Sequence, residues 1–308
     1  MNFDVKVLTA LPVISKTGFD QAEYCRQFDN ASLIVHASSK WAEYPAHGGV
    51  LSVKCAFQGV ENYQIGRHSY SVSDKNYLIV NKDTVRSSII NSPTLVNSFT
   101  VSFAPRLESE MLTSMIGGEA KNLDNSDSAS GQSFGFAERL YEFKNDYLVS
   151  PAIHYLRDQL HTMPPEEIKE FVIKVLEGLF LTQENVRKEI DTLRFKKLST
   201  RKEIYKRLYR SRDFIWSNFK DNLTLEDIAE VASMNTFYFL REYKKLFHIT
   251  PHKFLQRLRM EEARNLILKN KLSVNEACQE VGFSDVSSFS KLFKRMFKVN
   301  PSDCVMQP

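Results

Sequence analysis

About fifty residues apart, the sequence repeats a pattern of cations suited to gripping a polyanion: Arg241 followed by Lys244-Lys245, then Lys291 followed by Lys294-Arg295. A spacing of three puts Arg241 beside Lys244, and Lys291 beside Lys294, on one side of a helix. Such groups pair with phosphates, and a guanidinium can also fork onto a guanine edge. Other chemistry is poorly represented. Cys25, Cys55, Cys278 and Cys304 form no CxxC pair and no zinc-like spacing, and two of them sit in apolar runs, which suits reduced thiols in a reducing compartment. His36, His47 and His68 are scattered without an HxH, so no metal ligands are expected. With no nucleophile–base pair in view, no catalytic residue and no cofactor are expected either.

The elements that would hold these cations form a repeat. Residues 224–251 and 273–301 align at an offset of 49, pairing Thr224 with Ser273, Leu225 with Val274, Asp227 with Glu276 and Met234 with Phe283. After one extra residue in the second turn the offset is 50. It then pairs Phe239 with Phe289, Arg241 with Lys291, Tyr243 with Phe293, Lys244-Lys245 with Lys294-Arg295, Phe247 with Phe297 and Pro251 with Pro301. In each copy a Thr or Ser cap with an acid three residues on predicts a capping box. A short helix follows, with Ile228, Ala229 and Ala232, or Ala277, Cys278 and Val281, facing inward. Ser233-Met234-Asn235 and Gly282-Phe283-Ser284 are the turns: Gly282 can end a helix in the left-handed conformation, and Met234 and Phe283 would plug the core. Asn235 and Asp285 then cap second helices whose Phe239, Tyr243 and Phe247, or Phe289, Phe293 and Phe297, recur every four residues as core.

The free face of the second helix carries Phe237, Leu240, Arg241 and Lys244 in one copy, and Val286, Ser287, Ser290, Lys291 and Lys294 in the other. Two helices joined by a turn, the second basic and polar outside, make the helix-turn-helix pattern. Thr250 and Pro251 start a helix running to about Lys269. Its length of about 28 Å at ~1.5 Å per residue would set two reading helices about one turn of duplex apart.

The whole chain of 308 residues is ordinary in composition, 43% hydrophobic and 25% charged. Residues 201–308 hold 20 Lys and Arg against 13 Asp and Glu, leaving 21 against 24 for the first 200. A basic terminal module beside a slightly acidic body suggests a polyanion-binding part joined to something else. Nine of eleven glycines precede residue 140. There, seven apolar or alternating runs (32–36, 50–57, 62–65, 68–72, 76–80, 86–90 and 95–103) alternate with turn signals at 66–67, 73–76 and 91–94, which predicts an antiparallel barrel or sandwich. Residues 117–135 are small and polar, and are expected to form a mobile loop. Helical patterns follow near 138–161, 165–181 and 183–197, with Pro164-Pro165 breaking the first from the second. A further helix begins at 198–208, capped by Ser199 or Thr200. The first fifteen residues make a poor signal peptide, and 171–181 is too short and too charged to span a bilayer. A cytoplasmic protein with no membrane partner is expected.

Residues 223–267, LTLEDIAEVASMNTFYFLREYKKLFHITPHKFLQRLRMEEARNLI, followed by SVNEACQEVGFSDVSSFSKLFKRMFKVNPS, resemble the double helix-turn-helix domain of the AraC/XylS transcription regulators. VGFSDVSSFSKLFKRMF follows that family's signature closely, and the resemblance covers about a third of the chain. It implies that Phe237, Leu240 and Arg241, with Val286, Ser287, Ser290 and Lys291, meet base edges, while Thr236, Lys244, Ser288 and Lys294 contact backbone phosphates. Leu240 would read thymine methyls and shape, leaving Arg241 to fork onto a guanine. The chain departs from the family at His248 and Lys298, where a glycine is usual, and at Asn300, where Ser or Thr is usual.

The N-terminal β region is similar to the cupin-like sensor domains of the same family. The fold class that follows is α+β: a cupin-like antiparallel β barrel or sandwich at 1–137, a helical dimerisation or linker segment at 138–200, and an all-α double helix-turn-helix domain at 201–308. The resemblance implies a transcription activator that binds double-stranded promoter DNA and works with RNA polymerase. It also implies a small effector of unknown identity at the N-terminal domain, and a segment that could form a homodimer. A cupin-type metal-dependent enzyme fused to a DNA-binding tail is the alternative, and an architectural DNA binder without sequence preference is a third.

Overall fold

The apolar runs of the first hundred residues become strands of a curled eight-stranded sheet, and the last hundred are helical. The computed structural model describes residues 3–10, 31–119, 135–269 and 271–305. It separates into two units, Met1–Glu189 and Ile190–Pro308.

In the first unit the strands are β1 (Asp4–Leu8), β2 (Ala31–His47), β3 (Ser52–Phe57), β4 (Glu61–Ile65), β5 (His68–Val72), β6 (Asn76–Val80), β7 (Arg86–Ser102) and β8 (Leu140–Glu142). Their order is β1-β2-β7-β3-β6-β8, with β4 joining β7 and β5 joining β4. Gly66, at φ +59°, turns the β4–β5 hairpin as its sequence suggests. Two features of these strands depart from the sequence reading. β1 is an additional strand, and it runs parallel to β2 with Asp4 opposite Ala31. The runs 86–90 and 95–103 are one strand, although Asn91-Ser92-Pro93-Thr94 resembles a turn. There the register passes from Trp41↔Asn91 to Ser39↔Val96, so residues 92–95 face Lys40 alone. Pro93, which has no N–H to give, therefore lies in a bulge, where a strand tolerates it.

The helices of this unit are α1 (Pro105–Glu119), α2 (Ser150–Gln159) and α3 (Pro165–Asp191), with a 3-10 turn at Phe143–Asn145. Of the loop expected at 117–135, residues 117–119 end α1 and 120–134 lie outside the described residues. The pattern near 138–161 is helical only from Ser150, because Leu140–Glu142 adds β8 to β6. The Asp146 carboxylate accepts from the N–H groups of Leu148, Val149 and Ser150 at 2.9–3.1 Å, and from the Tyr77 hydroxyl at 2.8 Å. One acid thus starts α2 and ties it to β6. The patterns at 165–181 and 183–197 fuse into α3, since the apolar face of Val172, Leu176 and Leu179 continues through buried Val186 and Ile190. One core joins sheet and helices: Val53, Cys55, Tyr77, Phe99 and Val101 pack with Ile153, Leu156, Val172 and Val175. Gly178 permits close packing, for a Cβ there would lie 2.7 Å from the Leu148 carbonyl oxygen.

The second unit contains α4 (Leu198–Ser217), α5 (Leu225–Val231), α6 (Thr236–Phe247), α7 (Pro251–Leu268), α8 (Val274–Glu280), α9 (Val286–Phe297) and α10 (Pro301–Val305). α4 begins one residue before Ser199, from Lys197 without a side-chain cap, rather than from Ser199 or Thr200. Among the described residues no helix is long and apolar enough to cross a membrane.

Candidate nucleic-acid interface

Both copies of the repeat are built by the same local chemistry. Thr224 Oγ1 accepts from the Asp227 N–H at 3.1 Å while the Asp227 carboxylate accepts from the Thr224 N–H at 2.9 Å. Ser273 and Glu276 repeat this at 3.3 and 2.9 Å. The Thr224 and Ser273 hydroxyls also donate to these carboxylates, at 2.7 and 2.6 Å. These bonds, followed by those from the backbone N–H groups, hold the Asp227 and Glu276 carboxyls below their ordinary pKa values by favouring the charged form. Asn235 Oδ1 accepts from the Tyr238 N–H at the start of α6. Asp285 accepts from the N–H groups of Ser287 and Ser288 at the start of α9, and these bonds, Ser288's foremost, lower its pKa.

The inner faces close as their spacing requires. Ile228, Ala229, Ala232, Phe239 and Tyr243 are buried in the first copy; Ala277, Cys278, Val281, Phe289 and Phe293 are buried in the second. The aromatics of α6 and α9 contact one another edge-on or tilted along each helix, with Tyr243 to Phe247 at 4.5 Å and Phe293 to Phe297 at 4.7 Å between centroids. They are core and are unavailable for stacking on bases. Met234 and Phe283 are half-buried, at the rim of the core rather than its centre. Both recognition helices end at a left-handed residue, His248 at φ 55° and Lys298 at φ 65°. These are the positions where the sequence carries a side chain in place of the usual glycine, so the helix ends keep the glycine geometry at a conformational cost.

The outer faces carry the candidate contacts. On α6, Phe237 is 79% exposed, Arg241 and Lys244 are exposed, and Thr236 and Leu240 are half-buried. On α9, Val286, Ser287, Ser288, Lys291 and Lys294 are exposed and Ser290 is half-buried. Each helix therefore brings its candidates to one surface with the cations outward. α7 between them has 18 residues, about 27 Å of rod.

One residue of this site is absent from the sequence reading. Glu242, only 3% exposed, accepts from Arg241 Nε at 2.9 Å and from Lys245 Nζ at 3.1 Å. The signal lay in the repeat itself, because the equivalent position in the second copy is apolar Leu292. A buried acid on one recognition helix has no counterpart on the other. His36, His47 and His68 are separated in the first unit: His36 stacks on His161, and His47 Nδ1 lies 2.8 Å from the Pro45 carbonyl. Among the described residues no group of three or more His, Cys, Asp or Glu is placed to hold a metal ion.

Residues 228–306 match the model of a helix-turn-helix domain family. Over 86 residues the sequence is 35% identical to the HTH-type transcriptional activator RhaS of Escherichia coli, covering 28% of this chain and 31% of that protein. The chain thus carries a helix-turn-helix domain similar to that of this transcriptional activator. The chain spans about a third of the length of the curated relatives it matches. Two solved structures are similar to this part of the chain. The C-terminal domain of AraT, a response regulator of Geobacillus stearothermophilus, is 31% identical with a TM-score of 0.31, over 32% of this chain and 83% of its own. A probable AraC family regulator of Rhodopseudomonas palustris CGA009 is 21% identical with a TM-score of 0.31, over 32% and 94%.

Proposed function

We propose that this chain is a sequence-specific transcription regulator, an activator, whose α6 and α9 read two successive major grooves of promoter DNA. The observation that carries the reading is the outward placement of Arg241 and Lys244 on α6 and of Lys291 and Lys294 on α9, each over an aromatic core that cannot turn. In this reading Phe237, Leu240, Arg241, Val286, Ser287, Ser290 and Lys291 meet base edges. Thr236, Lys244, Ser288 and Lys294 hold phosphates and so fix the register. Arg241 is the specific reader. Its bond to Glu242 uses the side of the guanidinium at Nε and leaves the Nη1 and Nη2 end for guanine O6 and N7.

The remaining roles rest on the resemblance of the sequence, with bounds read from the sequence alone. Residues 1–137 form the sensor for a small effector, 138–200 the linking and dimerising helices, and 201–308 the DNA reader. RNA polymerase is the partner in activation, and the cytoplasm, where the promoter lies, is the site of action. Selection from random duplex DNA by the full chain tests the reading. It should enrich two short conserved elements whose centres lie about 10–10.5 base pairs apart. Enrichment of no sequence over competitor DNA would contradict it.

A further inference from the structure

One side chain bridges the two helix-turn-helix copies at three points. From the middle of α7, Arg259 donates Nε to the Phe219 carbonyl at 2.7 Å, Nη2 to the Asp221 carbonyl at 2.7 Å and Nη1 to the Gly282 carbonyl at 3.0 Å. Phe219 and Asp221 lie in the loop after α4, which packs on α5, α6 and α7 and so belongs with the first helix-turn-helix copy. Gly282 is the turn between α8 and α9. That turn is seated on the same loop: a Cβ on Gly282 would collide with the Lys220 carbonyl oxygen, and Gly282 adopts φ +81°. Lys220 reaches Glu280 of α8 at 3.7 Å, and the Arg259 guanidinium also lies 5.4 Å from the Phe283 ring.

Three carbonyl dipoles converging on one point repel one another unless a cation sits between them. A planar guanidinium satisfies all three in fixed directions, which an ammonium group cannot do. We propose that Arg259 is a positioning residue that sets the separation and rotational phase of α6 and α9, and thereby the spacing between the two DNA elements the domain accepts. This rests on the two-groove reading proposed above. With the junction locked, engagement of one helix presents the other in register, at high effective concentration. With it loosened, the second helix samples several phases, and native spacing loses its advantage.

The test uses full-length wild type, R259Q and R259K on the site that wild type selects. Probes carry one or two base pairs inserted or deleted between the elements, each step turning one groove by about a tenth of a turn; further probes carry one element alone. Wild type should lose about tenfold in affinity with each off-register step, whereas R259Q should lose about tenfold at native spacing and less than about threefold on further change. R259Q should hold single elements within about twofold of wild type, and R259K should fall between the two in its spacing profile. If R259Q fails to bind even single elements, the R259K profile decides, and a wild-type profile there overturns the proposal. A bipartite site with identical spacing profiles for wild type and R259Q overturns the Arg259 role alone. A wild type that selects only one element overturns the two-groove reading and this role together.

Discussion

Arg241 Nε lies 2.9 Å from a carboxylate oxygen of Glu242, a side chain 3% exposed beneath an arginine that is 52% exposed. The pair converts a flexible cation into an oriented one. Lys291, the matching residue on α9, stands beside Leu292 and has no equivalent acid. In the reading proposed above, the first helix-turn-helix copy is suited to directed readout and the second to looser charge attraction.

E242L, which installs the residue of the second copy, should therefore reduce discrimination for guanine at the Arg241 position by about 1–3 kcal/mol. Affinity for competitor DNA should stay level or rise, because an acid has left the interface. Titration of the selected site and its single-base variants checks this. Unchanged discrimination would show that Arg241 orients itself.

Direct and backbone contacts should separate by their salt response. R241A and K291A should each weaken specific binding by about 1–3 kcal/mol and relax preference at a few adjacent bases. K244A and K294A should weaken all duplexes alike and lower the salt-dependence slope by about one phosphate contact. Binding isotherms across a range of salt on specific and unrelated DNA distinguish these outcomes.

The ends of the recognition helices store removable strain. H248G and K298G should each raise stability by about 0.5–1 kcal/mol, the left-handed penalty less the greater unfolded entropy of glycine. G282A should lower it by about 1–3 kcal/mol or more, since strain and collision with the Lys220 carbonyl combine. Thermal denaturation of the full chain, followed by helical signal, measures all three.

The capping acids make the domain acid-sensitive. Asp227, Glu276 and Asp285 are held below their ordinary values by hydrogen bonds to Thr224, Ser273 and Ser288. A depressed folded value means stability that is fully present above the unfolded carboxylate range, about pH 4, and lost as pH falls through the folded values. The helical unit should lose stability below about pH 4, and D227N with E276Q should flatten that limb while lowering stability at neutral pH. A limb of unchanged steepness in the double variant would assign the acid sensitivity elsewhere.

Local signals were legible where chemistry is local. Thr224 with Asp227 and Ser273 with Glu276 announce capping boxes by type and spacing, and both form with the expected atoms. The aromatic ladder of Phe289, Phe293 and Phe297 fixed which side of α9 faces inward. Legibility failed where partners are distant. Pro93 reads as a turn, and only the register shift against Ser39 and Trp41 shows a bulge within one strand. Leu140 reads as helical until β6 offers it an edge. Glu242 and Arg259 look like surface charges in the sequence; only the folded chain shows one beneath Arg241 and the other among three carbonyls.

Methylation interference on the selected site tests the central claim most directly, because it asks which guanines each helix needs. Two clusters of interfering guanines should appear in the major groove, about 10–10.5 base pairs apart on one face, with R241A erasing one cluster and K291A weakening the other. A single cluster, or both substitutions acting on the same guanines, would contradict an account in which α6 and α9 read separate grooves.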